Sequence, residues 1–253
     1  MSSPAAELRR ARGLGFWAFI VLMLALTALW VSLGVWQVQR LQWKEGLIAE
    51  VNARLTLPPV DLPPEAQWPG LDADSWNFRP VKASGTLRND EAVLIFTSLP
   101  DPKGHYSGAG YWVMAPLELA TGGTVFINRG FVPQAQGPQF LNGAPAPADI
   151  TGVALAAEAA GMFTPAPDPA QHIDWVRDPA RLASMDKIAG TVLGLTIDLP
   201  AGSPGSLPQG GETTVDFPNN HLGYAVTWFG LALLTPALLA YWVRRQLRPR
   251  AKP

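Results

Sequence analysis

Two long uncharged blocks near the ends of a 253-residue chain predict a protein of mixed membrane α and β structure. Between the blocks lie short β-branched and aromatic segments separated by turn formers. The predicted fold has two antiparallel transmembrane helices, N- and C-terminal. They carry one extracytoplasmic, antiparallel β-rich, barrel-like domain with a short helix. Composition agrees, with 48% hydrophobic and 15% charged residues against roughly 25% charge in a soluble domain.

Each block, Gly13 to Gln39 and Phe217 to Val243, holds 27 residues, uncharged if His221 is neutral. A hydrocarbon core needs only about 20 helical residues. Pro236 does not disqualify the second block, because membrane helices tolerate proline. The first block is about twice the length of a signal-peptide core and lacks a small-x-small cleavage site, so it reads as an uncleaved anchor. The expected division is a cytoplasmic tail over 1–13, a first span over 14–36, the β-rich domain over 37–220, a second span over 221–243 and a basic tail over 244–253.

Charge placement sets the expected orientation. Arg9, Arg10 and Arg12 precede the first span, and Arg244, Arg245, Arg248, Arg250 and Lys252 follow the second. The segment Gln37 to Asn220 holds 11 basic and 19 acidic residues, a net charge of −8. Short basic tails stay cytoplasmic, while a long loop translocates largely regardless of charge. Both termini are therefore expected in the cytoplasm and the main domain outside it.

Trp36, Arg40, Trp43 and Leu47 share a helical face, and no proline interrupts Gly13 to Leu57, so the first helix is expected to run on past the membrane. Pro58-Pro59, Pro63-Pro64 and Pro69-Gly70 predict an extended connector over 58–70 with little regular structure. Strands are expected over 78–87, 92–99, 110–118, 124–132, 150–157 and 192–199. Asn89-Asp90 and Thr121-Gly122-Gly123 suit hairpin turns. Asp178-Pro179 looks like an N-cap followed by proline at the first helical position, predicting a helix over 179–188. The glycine- and proline-rich stretch 200–211 predicts a mobile loop.

Zero cysteine excludes a disulfide framework, a cysteine-rich zinc or iron–sulfur site and covalent C-x-x-C-H haem attachment. H-E-x-x-H, G-x-S-x-G, Walker and dinucleotide motifs are absent from the sequence, so no catalytic residue is assigned. Asp72-Ala73-Asp74 lacks the glycine and closing glutamate of a calcium loop and reads as a solvated turn. His105 and His172 fall in polar loops and read as solvent-exposed.

His221 opens the second span and shares a helical stripe with Tyr224, Ala225 and Trp228. In an antiparallel pair, Trp36, Gln37 and Arg40 fall at the same depth. A histidine nitrogen, flat aromatic surfaces and an arginine at one interface suit an amphipathic tetrapyrrole. His221 would ligate the metal, Trp and Tyr would stack on the ring, and Arg40 or Lys44 would pair with propionates. The same residues also suit an ordinary aromatic belt facing headgroups. Residue chemistry leaves both readings open.

Several blocks in order carry a resemblance. Leu33-Gly34-Val35-Trp36-Gln37-Val38-Gln39-Arg40 with Trp43-Lys44 comes first. Gly110-Tyr111-Trp112-Val113 with Pro116-Leu117 and Val125-Phe126-Ile127-Asn128-Arg129-Gly130-Phe131-Val132-Pro133 follow, then Trp175-Val176-Arg177-Asp178 with Met185. Asn219-Asn220-His221-Leu222-Gly223-Tyr224-Ala225-Val226-Thr227-Trp228-Phe229-Gly230-Leu231 closes the series. Together, over about residues 30 to 231, they resemble the Surfeit locus protein one family.

The resemblance implies a non-enzymatic cytochrome c oxidase assembly factor of bacterial type, in the inner (plasma) membrane with a periplasmic main domain. It implies haem a as transiently bound cargo, with His221 as iron ligand. Its implied partners are the oxidase core subunit, haem a synthase and the lipid bilayer, and no nucleic acid. The competing expectation is a scaffold that stabilises an oxidase assembly intermediate without touching haem. Asn128-Arg129-Gly130-Phe131, placed at a strand end, suits either a partner contact or a structural turn.

Overall fold

A computed structural model describes residues 13–213 and 219–248, the side chain of Asp186 excepted. The basic residues Arg9, Arg10, Arg12, Arg250 and Lys252 lie outside the described residues, as does Phe217. The chain divides into two compact units, Met1–Ala49 with Asp216–Pro253, and Glu50–Val215.

The first unit is built on two helices. α1 (Leu14–Leu55) is 42 residues long, about 63 Å at roughly 1.5 Å per residue, and contains no proline. The second of these helices covers His221–Leu247 and retains Pro236 within it. As numbering rises along α1 it falls along this partner, so the two are antiparallel. Phe16 stacks on Trp242 at 5.2 Å between ring centroids. Trp30 stacks on Trp228 at 5.2 Å and 11°. Gly34 leaves room for the Phe229 ring, since a Cβ there would fall 2.7 Å from it.

Serine and threonine hydroxyls along both helices are satisfied within their own helix. Thr27, Ser32, Thr227 and Thr235 each donate to the carbonyl four residues back, as a medium without water demands. Large apolar side chains such as Leu22, Leu24, Leu233 and Leu234 remain exposed. Both helices are long and apolar enough to cross a membrane. Their outward apolar faces differ from the buried faces of a soluble core helix, and they support membrane association.

The second unit is a mixed sheet with short helices. Its elements are β1 (Val60–Asp61), α2 (Ala73–Trp76), β2 (Arg79–Leu87), β3 (Val93–Leu99), β4 (Gly108–Leu119), β5 (Thr124–Pro133), β6 (Ala146–Ala156), β7 (Ile173–Asp174), α3 (Pro179–Asp186) and β8 (Val192–Asp198). The helix over His221–Leu247 is therefore α4. Strand order is β1-β2-β6-β8-β5-β4-β3-β7, and β2 also pairs with β4. The main apolar cluster lies between strands and includes Val81, Leu117, Ile127, Ile150, Leu195 and Ile197. Met114 and Phe126 join Val93, Ile95 and Leu182 of α3 in a separate cluster. β4 and β5 are thus covered on both faces, which accounts for their nearly unbroken apolar runs.

Six expected strands form close to their expected bounds, and Asp178 caps α3 by accepting from the Ala180 N–H at 3.0 Å. Thr121-Gly122-Gly123 joins the antiparallel pair β4–β5, with both glycines at positive φ.

Other expectations need correction. The sheet is not purely antiparallel, since β1–β2, β3–β7 and β5–β8 are parallel. Asn89-Asp90 is not a hairpin turn. β2 is flanked by β6 and β4, and the segment forms a 3-10 turn leading to β3. Arg88 steers that turn through ion pairs with Asp90, Glu91 and Glu118.

The connector over 58–70 is more regular than expected. It contributes β1 and a 3-10 turn, Glu65–Gly70. Trp68 from that turn is buried in the main cluster and donates its indole N–H to the Pro63 carbonyl at 2.8 Å. Asp72 is not merely a solvated turn residue, because it caps α2 by accepting from the Asp74 N–H. α3 is consequently not the only helix of this unit. The stretch 200–211 is pinned by its contacts rather than loose. Gln209 exchanges backbone hydrogen bonds with Phe131, both 2.8 Å, and the Gly211 N–H donates to the Leu199 carbonyl.

Candidate functional site

His221 begins α4, following Asn219-Asn220, which cannot extend the helix without competing for its backbone. Gln37 lies on α1 and is buried. The two side chains meet, with His221 Nδ1 2.7 Å from Gln37 Oε1. The amide oxygen is a pure acceptor, so the contact is a hydrogen bond in the tautomer that carries its proton on Nδ1. The Nε2 lone pair then points away from that bond, the arrangement a ligating histidine requires.

The other expected site residues take different positions. Trp228 lies two turns along α4 and stacks on Trp30. Tyr224 and Trp36 are exposed. The Arg40 guanidinium sits 4.4 Å above the Trp43 ring of its own helix, a cation–π contact that holds the charge on α1. Lys44 is half-buried. The structure therefore joins His221 to Gln37 directly, whereas Trp36, Tyr224 and Arg40 present their side chains outward. Trp30 was missed by the sequence reading. Its signal is the i, i+4, i+7 spacing Trp30, Gly34 and Gln37, which places it on the Gln37 face.

Among the described residues, no group of three or more His, Asp or Glu is positioned to hold a metal ion. A metal bound at His221 would need its remaining ligands from elsewhere, as a macrocycle supplies them. One imidazole with a fixed tautomer and indole surfaces within two turns fits such a group.

The β unit has a separate polar centre. Asn128 is buried and donates to Asp198 Oδ1 at 3.1 Å, while its own Oδ1 accepts from the Gly130 N–H. Asp198 Oδ2 accepts from Thr213 at 2.7 Å and lies 3.5 Å from Arg177 Nη1. Burial pushes the Asp198 carboxyl up, against the opposing pull of Arg177, Thr213 and Asn128. Burial also lowers the neighbouring Arg129 guanidinium from its usual value. A pocket of about 210 Å³ opens beside these groups, lined in part by Asn77, Phe78 and Trp112. Asn128-Arg129-Gly130-Phe131 thus lies within β5 rather than at its end, and Asn128 and Gly130 are structural. His105 is exposed, as expected, while His172 is half-buried and its carbonyl accepts from Leu94 of β3.

Two long apolar helices, a mixed-sheet domain encoded between them and a histidine–amide pair linking the helices define a membrane-associated protein with an inserted β domain. A family model described as the SURF1 family matches residues 24–233. The chain is similar to a "SURF1-like protein" of Monosiga brevicollis, 31% identical over 96% of this chain and 91% of that protein. It is also similar to "Surfeit locus protein 1" of Rattus norvegicus, 30% identical over 98% of this chain and 81% of the relative. The Homo sapiens protein of that name is 30% identical over 98% and 83%. The chain belongs to the SURF1 family.

Proposed function

We propose that this chain is a cytochrome c oxidase assembly factor that binds haem a at the outer membrane interface and assists its insertion into the oxidase core subunit. The observation that carries the reading is the 2.7 Å contact of His221 Nδ1 with Gln37 Oε1. In this reading it orients the ring and leaves Nε2 free to ligate iron. Trp228 and Trp30 supply apolar ring surface along the helices, and Tyr224, Trp36 and Arg40, exposed in the free protein, are available to a cargo or to lipid. An interfacial site lets a hydrophobic cargo pass sideways to helices of a partner without crossing water. One protein ligand, rather than two, favours release. The factor is not an enzyme in this reading; it sits in a bacterial inner membrane with both termini cytoplasmic and its β domain periplasmic. The β2–β4 pairing supports closure of that sheet into a small barrel.

The test is an absorption spectrum of the protein purified from membranes that make haem a, beside two variants. His221→Ala is expected to lose the haem or shift its spectrum while remaining folded. Gln37→Leu is expected to retain the ligand but bind about 10- to 100-fold more weakly, the usual effect of removing a partner that orients a ligating histidine. Stoichiometric haem with an unchanged spectrum in His221→Ala would defeat the proposal.

A second reading rests on the same contact, because Gln37 also satisfies His221 as a simple helix-pairing device. The chain would then stabilise an assembly intermediate without touching haem. Its expectation is a complex with the core subunit that forms equally well in cells unable to make haem.

A further inference from the structure

The most exposed large apolar side chains of the β unit are adjacent. Met162 and Phe163 are each 92% exposed, on the loop between β6 and β7. The loop tip is a built turn. The Thr164 N–H donates to the Gly161 carbonyl at 3.1 Å, and the Gly161 N–H donates to Thr164 Oγ1 at 2.8 Å. Met162 and Phe163 occupy the two central positions and are thrust outward.

The flanks of the turn are clamped as well. Arg177 donates its Nε–H to Glu158 at 2.8 Å, and the Glu158 N–H donates to the Arg177 carbonyl at 3.1 Å. Arg181 donates to the Pro165 carbonyl at 3.2 Å. Asp168 and Ile173 exchange backbone hydrogen bonds beyond it. A loop held this firmly displays its apolar tip as a fixed feature of the fold.

We propose that the Met162–Phe163 turn is an interfacial membrane anchor of the β domain, inserting its two side chains among lipid headgroups and upper acyl chains. The inference rests on reading α1 and α4 as membrane spans. Three observations favour lipid over a protein partner. The nine residues from Ala159 to Pro167 carry no charge, so the tip itself brings no charge to the interface. Two side chains flanked in sequence by Ala, Gly and Pro offer far less apolar area than a stable protein interface needs. The domain is also covalently joined to a candidate span at each of its ends. That tether raises the effective concentration of bilayer around the turn, so two side chains suffice where a free protein would need a larger apolar surface.

The chain has no cysteine, so a single introduced thiol labels one site. Phe163→Cys, and separately Met162→Cys, are labelled with a nitroxide in the full chain reconstituted into phosphatidylcholine–phosphatidylglycerol vesicles. Collision rates with oxygen and with a water-soluble nickel chelate are then measured. Leu29→Cys within α1 serves as the lipid reference and Ser203→Cys, on the exposed 200–211 loop, as the water reference. Oxygen-accessible and chelate-shielded labels at 162 and 163, resembling Leu29→Cys, are the expected result. Chelate access equal to that of Ser203→Cys would overturn the proposal while leaving the spans intact. Shielding from both reagents would overturn it in favour of a protein contact. Chelate access at Leu29→Cys itself would remove the membrane reading on which the inference stands.

Discussion

Gly130 adopts φ +125° inside β5, where a Cβ would meet the Gln209 carbonyl carbon at 2.3 Å. Only glycine lets β5 and the 209–211 segment approach so closely. Two residues earlier, the β5–β8 register sets Asn128 against Asp198. The Asp198 carboxyl, pushed up by burial, has a folded value above its unfolded one of about 3.9. Its contribution to stability is therefore complete below the unfolded value and is lost as pH rises through the folded value. Asp198→Asn should flatten the stability profile above about pH 4, read as melting temperature of the detergent-solubilised chain over a pH series. An unchanged slope would mean that the carboxyl titrates alike in both states. Little of this centre was legible beforehand, because Asn128 and Asp198 are 70 residues apart and only the parallel β5–β8 pairing unites them. His221 and Gln37 were legible, since antiparallel spans fix their depth. The contact of Arg40 with Trp43, one turn on, was not foreseen, although both lie on one helical face.

At the scale of elements, α3 is held by a partly buried ion pair. Asp174 is fully buried on β7 and takes two hydrogen bonds from Arg181, one at 3.0 Å and one at 2.5 Å. Arg181→Ala would leave the carboxylate only the Trp175 N–H, and with Arg181 partly exposed the loss should fall below the roughly 3 kcal/mol of a fully buried pair. Arg181→Lys should recover part of that loss, because the charge returns without the fork. Chemical denaturation followed by near-ultraviolet circular dichroism would measure both, and equal stability of the alanine variant would refute the argument. The strands themselves were readable from alternation and turn residues, and α3 from Asp178-Pro179. Pairing was not. Asn89-Asp90 carries the residues of a hairpin, yet the partners of β2 come from elsewhere in the chain, and tertiary pairing overrides the turn signal. Trp68 was hidden for a related reason, because surrounding prolines mask a single aromatic anchor.

For the whole molecule, the proposed topology, with both termini cytoplasmic and the β unit outside, is open to a direct test. Reporter domains active only in the cytoplasm, fused at either terminus, should both be active. A reporter inserted at Gly202, in the β unit, should be active only when it functions outside the cytoplasm. Opposite signals from the two termini would break the two-span reading. The alternation of apolar helix, sheet and apolar helix was legible because hydrophobic block length is a global quantity that needs no knowledge of contacts. The strand order was not, since β2 must choose between β6, β4 and β1 by packing alone.

The stacked indoles of Trp30 and Trp228 have an optical consequence. Trp228 lies seven residues, or about 10 Å along the axis, from His221. Indole emission falls in the near ultraviolet, where tetrapyrroles absorb strongly. A chromophore seated at His221 would drain excitation from this pair. Were the proposed site filled, the protein would contain its own energy-transfer donor, and occupancy could be followed as fading fluorescence without any label.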